Sequence, residues 1–100
     1  MFVTRHCEDR VRTRLAGVVS LGEVCACVEG LSPKVGETWV LVKKLQHSVY
    51  IPCNTADGAV NGDTVWAVVK LRPGEREPAL VTVLVRRWGQ RIKADHVIGR

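Results

Sequence analysis

The sequence predicts an all-β domain built as a small barrel, on three observations. Apolar residues make up 46% of the chain but aromatics only 5%, so the core is aliphatic, and the dominant valine suits a pleated strand better than a helix. The apolar residues fall into six short runs at the roughly ten-residue spacing typical of sandwiches and barrels. One punctuated run also occurs twice. VGETWVLVKKL (Val35 to Leu45) and NGDTVWAVVKL (Asn61 to Leu71) align Gly36 with Gly62, Glu37 with Asp63, Thr38 with Thr64, Val42 with Val68, Lys44 with Lys70 and Leu45 with Leu71.

The elements follow in order. Residues 1–11 are charged and show no apolar period, which predicts an N-terminal arm or short cap, leaving 12–100 as one domain. RLAGVVS and EVCACVE are apolar runs separated by LG and suit two strands. EGLSPKVGE is a turn-rich break. TWVLVKKL and SVYIPC, divided by QH, predict a hairpin with a tight loop. NTADGAVNGD is a second connection, leading to the strand TVWAVVKL, and RPGEREP a third, whose prolines exclude ladder pairing. ALVTVLVRRW is the longest strand candidate, and the tail GQRIKADHVIGR fits a short helix or a last strand. A chain of this length cannot cover the edges of an open sheet. The predicted architecture is therefore a closed or partly open barrel of five to six strands, OB-like or SH3-like.

The repeat fits this scheme. A glycine before an acid permits positive φ at a strand entry, and the acidic side chain can bond the turned backbone. Val40 and Val42 share one face, as do Trp66 and Val68 in the second copy, while Leu41 and Ala67 take the other. Both faces are apolar, so each strand needs two covers: the barrel interior, and the terminal segments or a partner. The repeat is either a shared strand-entry signal or an internal duplication.

The formal charge is +5, which favours polyanionic partners. The surplus gathers late, where Arg86, Arg87, Arg91, Lys93 and Arg100 face only Asp95. No apolar run approaches the roughly 20 residues of a membrane helix, so no membrane partner is expected. Charges occupy the place of a signal-peptide core. These features predict an intracellular or virion protein with no secretion signal and with reduced, mostly buried cysteines.

Chemistry needs converging titratable groups. His6, His47 and His96 are scattered, and Asp95 and His96 are neighbours that an extended chain points apart. No nucleophile elbow or P-loop is present. The expectation is a protein that is not an enzyme and uses no cofactor. Cys25 and Cys27 would face one way on a strand, and His47 and Cys53 could complete a tetrahedral metal set. The one-residue spacing in an apolar run favours buried structural thiols instead. The candidate interaction residues are Lys43, Lys44, Arg86, Arg87, Trp88, Arg91 and Lys93. Cations would meet phosphates or carboxylates there, and Trp88 would stack on a base or close the barrel.

Two partial resemblances accompany this reading. PKVGETWVLVKKLQHSVYI, with LAGVVSLGEVCACVEGL before it, resembles barrel domains of tailed-phage tail and baseplate proteins over about residues 15–53. VYIPCNTADGAVNGDTVWAVV, with VTVLVRRW and VIGR, is similar to the cold-shock-type OB domains of RNase R-like exoribonucleases over residues 49–100. The catalytic carboxylate domain of that nuclease family and the stacking motifs of cold-shock proteins have no counterpart here. The resemblances imply barrel shape and two functional expectations. One is a structural module that docks on other protein subunits in an oligomer or larger assembly, such as a head decoration, head–tail or tail protein. The other is an OB-type module that binds single-stranded RNA or DNA.

Overall fold

Helix formation begins where the sequence predicted an arm or short cap. Thr4 caps helix α1 (Arg5–Arg14) by accepting the backbone N–H of Cys7 at 3.1 Å. Cys7, Val11 and Leu15 then recur every fourth residue and are buried, which is a helical stripe hidden among charges. Thr4 also donates from Oγ1 to the carbonyls of Leu80 and Val81, and the N-terminal ammonium lies 2.9 Å from Glu77. The predicted arm is thus tied to the body of the protein.

The second departure is EVCACVE, which lies in helix α2 (Leu21–Val28) rather than a strand. Ser20 and Glu23 form a reciprocal capping box, and Leu21, Val24, Cys25 and Val28 make the apolar stripe. RLAGVVS spans the end of α1 and the link to α2.

The computed structural model describes residues 1–32, 34–52 and 59–99. They are mostly strand: β1 (Phe2–Val3), β2 (Gly36–Pro52), β3 (Ala59–Leu71), β4 (Ala79–Arg86) and β5 (His96–Ile98) form one sheet in the order β1-β4-β3-β2-β5. Strands β2, β3 and β4 are an antiparallel meander. The short β1 and β5 run parallel to β4 and β2 and form its two edges, so of the closed or partly open arrangements the sequence predicted, the sheet is not closed. These short strands cover only Thr38–Val40 of β2 and Ala79–Leu80 of β4, so the rest of each longer strand's outer edge has no ladder partner among the described residues.

QH does not turn the chain. Gln and His do not supply the positive φ values that a two-residue hairpin needs, and β2 runs through them with a register slip between Lys44 and Val49. Ala59 to Asp63, predicted as connection, are strand, and Ala59 to Gly62 pair back to β2. β2, not β4, is therefore the longest strand. RPGEREP is the turn between β3 and β4, as predicted. Of the two readings of the tail, the strand holds for His96–Ile98, which form β5.

The sheet carries two covers. On one face α1 and α2 pack on Val40, Val65, Ala67, Val69, Leu80, Val83 and Val85. On the other, Trp39, Trp66 and Val68 meet Ile92, Ala94 and Val97 of the C-terminal segment. The terminal segments supply the outer cover that the two-sided strands demanded. Buried Cys7 has its thiol pushed up to about 11, chiefly by burial and then by Cys25 and Glu8; Cys7, Cys25 and Cys27 are free thiols.

The aligned positions of the two copies face opposite ways, with Val40 and Val42 toward the helices and Trp66 and Val68 away from them. Their glycines also differ. Gly36 opens β2 at φ 111°, and a Cβ there would come within 2.5 Å of Asp95 Oδ2. Gly62 lies inside β3, outside the positive-φ region, where a Cβ would come within 2.5 Å of Val85 Cγ1 and 3.0 Å of the Arg86 backbone. A shared strand-entry motif put to two uses fits these facts better than a duplicated fold unit. We predict that Gly62→Ala destabilises the protein by about 1–3 kcal/mol through overpacking, measured by urea unfolding; wild-type stability would show that β4 yields without strain.

Candidate functional site

All three tryptophans in the chain gather at the face away from the helices or at its rim, and each is held by a specific partner. Trp39 and Trp66 are buried, tilted at 50° with ring centroids 6.5 Å apart. A buried indole N–H needs an acceptor, and both find one two residues earlier on the same strand face. Trp39 Nε1 donates to Glu37 Oε1 at 2.6 Å, and Trp66 Nε1 to Thr64 Oγ1 at 2.9 Å. Thr64, fully buried, donates its own O–H to the Arg86 carbonyl at 2.5 Å. The acids of the repeat have partners elsewhere in the fold: Glu37 accepts the Trp39 indole, and both copies are tied in through backbone N–H groups. Asp95 accepts the Glu37 N–H at 2.8 Å, and Asp63 accepts the Trp88 N–H at 2.6 Å.

Trp88, 47% exposed, stands just past the end of β4 beside the β2–β3 pair. Lys44 Nζ lies 3.9 Å from its ring centroid, and Arg86 Cζ lies 5.5 Å from that of Trp39. Both are cation–π distances. Of the predicted interaction residues, Lys44, Arg86 and Trp88 are brought together. Arg87, Arg91 and Lys93 are exposed on the adjoining segment, where Arg91 and Lys93 alternate with the inward Ile92 and Ala94. Lys93 shares a shallow depression with Glu37 and Asp95. Lys43 is separated from the group and donates to the Val18 carbonyl at 3.3 Å.

Trp39, Thr64, Trp66 and Asp63 complete the site and were not singled out from the sequence. The signals that reveal them are Glu37-Thr38-Trp39 and Thr64-Val65-Trp66, each placing an acceptor on the same strand face as an indole.

The metal set does not assemble as drawn. On a helix, residues two apart point to nearly opposite sides. Cys27 turns to the sheet, with Sγ 3.7 Å from the Val42 carbonyl, while Cys25 lies near Cys7. His47 is exposed on β2, and Cys53 lies outside the described residues. Among the described residues no three His, Cys, Asp or Glu side chains converge on a metal-sized site, and no helix is long and apolar enough to cross a membrane. What the arrangement offers chemically is a half-exposed indole, one ring face under an ammonium, beside further cations.

Comparison of the chain with protein-family models, curated proteins and solved structures gave no match.

Two outcomes test this geometry. Thr64→Val leaves the Trp66 N–H and the Arg86 carbonyl without their partner and should cost about 1–3 kcal/mol in denaturant unfolding. A double-mutant cycle on Lys44→Gln and Trp88→Leu should return a coupling of about 0.5–1 kcal/mol; zero coupling would make the stacking incidental.

Proposed function

We propose that this chain is a non-catalytic assembly module that docks on a larger protein array, most concretely as a virion-type structural component such as a head decoration, head–tail or tail protein. The observation that carries the reading is the way β2 and β3 run on without the rest of the sheet. β4 pairs with β3 only from Thr64 to Lys70 and β5 with β2 only from Thr38 to Val40, whereas β2 and β3 stay paired out to Pro52 and Ala59. A two-stranded ribbon is marginally stable in water, so a partner surface gives it a purpose.

Its composition points to the kind of partner. Between Leu45 and Gly62 the sequence has no lysine or arginine and one carboxylate, Asp57. An arm for nucleic acid needs cations for the phosphates; a neutral ribbon of Val, Ile, Tyr and Ala suits a protein surface. A partly open OB-like or SH3-like barrel belongs to the same proposal. It is supported by the irregularities in β2 and between Val68 and Val69, since bulges bend sheets.

The second reading is single-stranded RNA or DNA on the basic face, and the Lys44–Trp88–Arg86 cluster at the root of the ribbon favours it. Lys44 already covers one face of the half-exposed ring, and Lys43 points elsewhere, which leaves a stacking platform of a single indole.

Salt separates the two, because phosphate binding weakens steeply with ionic strength and apolar burial is not screened. We expect light scattering after size exclusion in about 0.5 M salt to show an oligomer free of nucleic acid. Replacing residues 49–61 by Asn-Gly should reduce it to a monomer that still unfolds cooperatively. A monomer carrying nucleic acid that salt strips away would overturn the assembly reading.

A further inference from the structure

Where β2 enters the sheet, the helix-side face is not filled. A cleft of about 240 Å³ opens there between the connection after α2, which contributes Leu31, Ser32 and Lys34, and the sheet, which contributes Thr38, Val69 and Ile98. Two features distinguish it from a packing gap.

The first is Thr38. Its neighbours along the ladder are Val69 and His96, it is 8% exposed, and its side-chain hydroxyl has no hydrogen-bond partner among the described residues. Buried hydroxyls are almost always paired, and each exception calls for an explanation. Thr64, the equivalent residue of the repeat, has both a donor and an acceptor. The second is Lys34, the one charged side chain on the lining, which makes no ion pair among the described residues. A wall of Leu31, Val69 and Ile98 with one hydroxyl inside and one ammonium at the rim is the arrangement of a small-molecule site: apolar body, few polar anchors.

We propose that this cleft binds a small monocarboxylic acid with a short apolar body, its carboxylate between Lys34 and the Thr38 hydroxyl and its hydrocarbon against Val69 and Ile98. Size agrees, since an apolar cavity of about 150 Å³ holds a benzene ring and this one has room for a six- to eight-carbon chain or a ring with its acid group. The site lies on the face away from Trp88 and does not depend on the docking reading.

Hexanoate is the probe. A ligand of so few atoms should bind with a Kd on the order of 1 mM, which amide chemical shifts of the labelled full chain can follow. The expected result is saturable shifts at Leu31, Thr38, Val69 and Ile98. Lys34→Ala should weaken hexanoate about fivefold, as befits an exposed ion pair, and leave hexan-1-ol unchanged. Thr38→Val, nearly isosteric, should weaken both ligands. No saturable shift up to about 20 mM, well above that Kd, or equal loss of acid and alcohol in Lys34→Ala, would overturn the proposal. So would a tripeptide ending in leucine that binds far tighter than hexanoate and spreads its shifts along β5, because the occupant would then be a chain terminus.

Discussion

A sheet whose central strands are apolar on both faces has to be covered twice, and the rest of this structure follows from that requirement. Trp66 and Val68 alternate with Val65, Ala67 and Val69 on β3, and all five are buried. Neither face can be left to water, since each large apolar side chain is worth about 1.5–3 kcal/mol of burial. The chain meets the demand with its two ends. The first third folds into helices on one face, and Ile92, Ala94 and Val97 of the last segment cover the other, so each end of the chain also contributes a strand that finishes an edge.

The sheet was legible in the sequence because its signals are local. The β-branched alternation, the proline-bearing RPGEREP turn and the glycine at 36 all act within a few residues, and two-sided apolarity announced a second cover. The helices were missed for an equally physical reason. Val24, Cys25 and Val28 make a short apolar run that satisfies a strand pattern as well as a helical one, and the capping box at Ser20 and Glu23, which breaks the tie, lies at the edge of the run. In α1 the charged residues dominate the eye, while the stripe of Cys7, Val11 and Leu15 shows only when read at intervals of four. Reading α2 as a strand also produced the notion of two sulfurs facing one ion; the helix separates them.

The candidate site was legible in part. Lys44, Arg86 and Trp88 were singled out only as basic and aromatic residues; what brings them together is the ladder, which sets Lys44 opposite Thr64 and Thr64 opposite Arg86. Lys43 did not join them, since adjacent residues of a strand face opposite sides, and it turns to the Val18 carbonyl. Asp63 could not be assigned from the sequence at all, because its partner is a backbone N–H that arrives from β4. The same contact ties the exposed indole to the root of the ribbon, so the basic cluster and the ribbon meet at Asp63.

The order in which the covers are made carries one more consequence. The tryptophan layer is complete as soon as β2, β3 and β4 have paired, yet Ile92, Ala94 and Val97 are translated after all of them. Until that last segment docks, a paired meander carries a bare aromatic surface on one side, whereas the cover of its other side comes from segments earlier in the chain. That interval is the vulnerable stage in the life of this protein, when neighbouring nascent chains or a chaperone would first meet it.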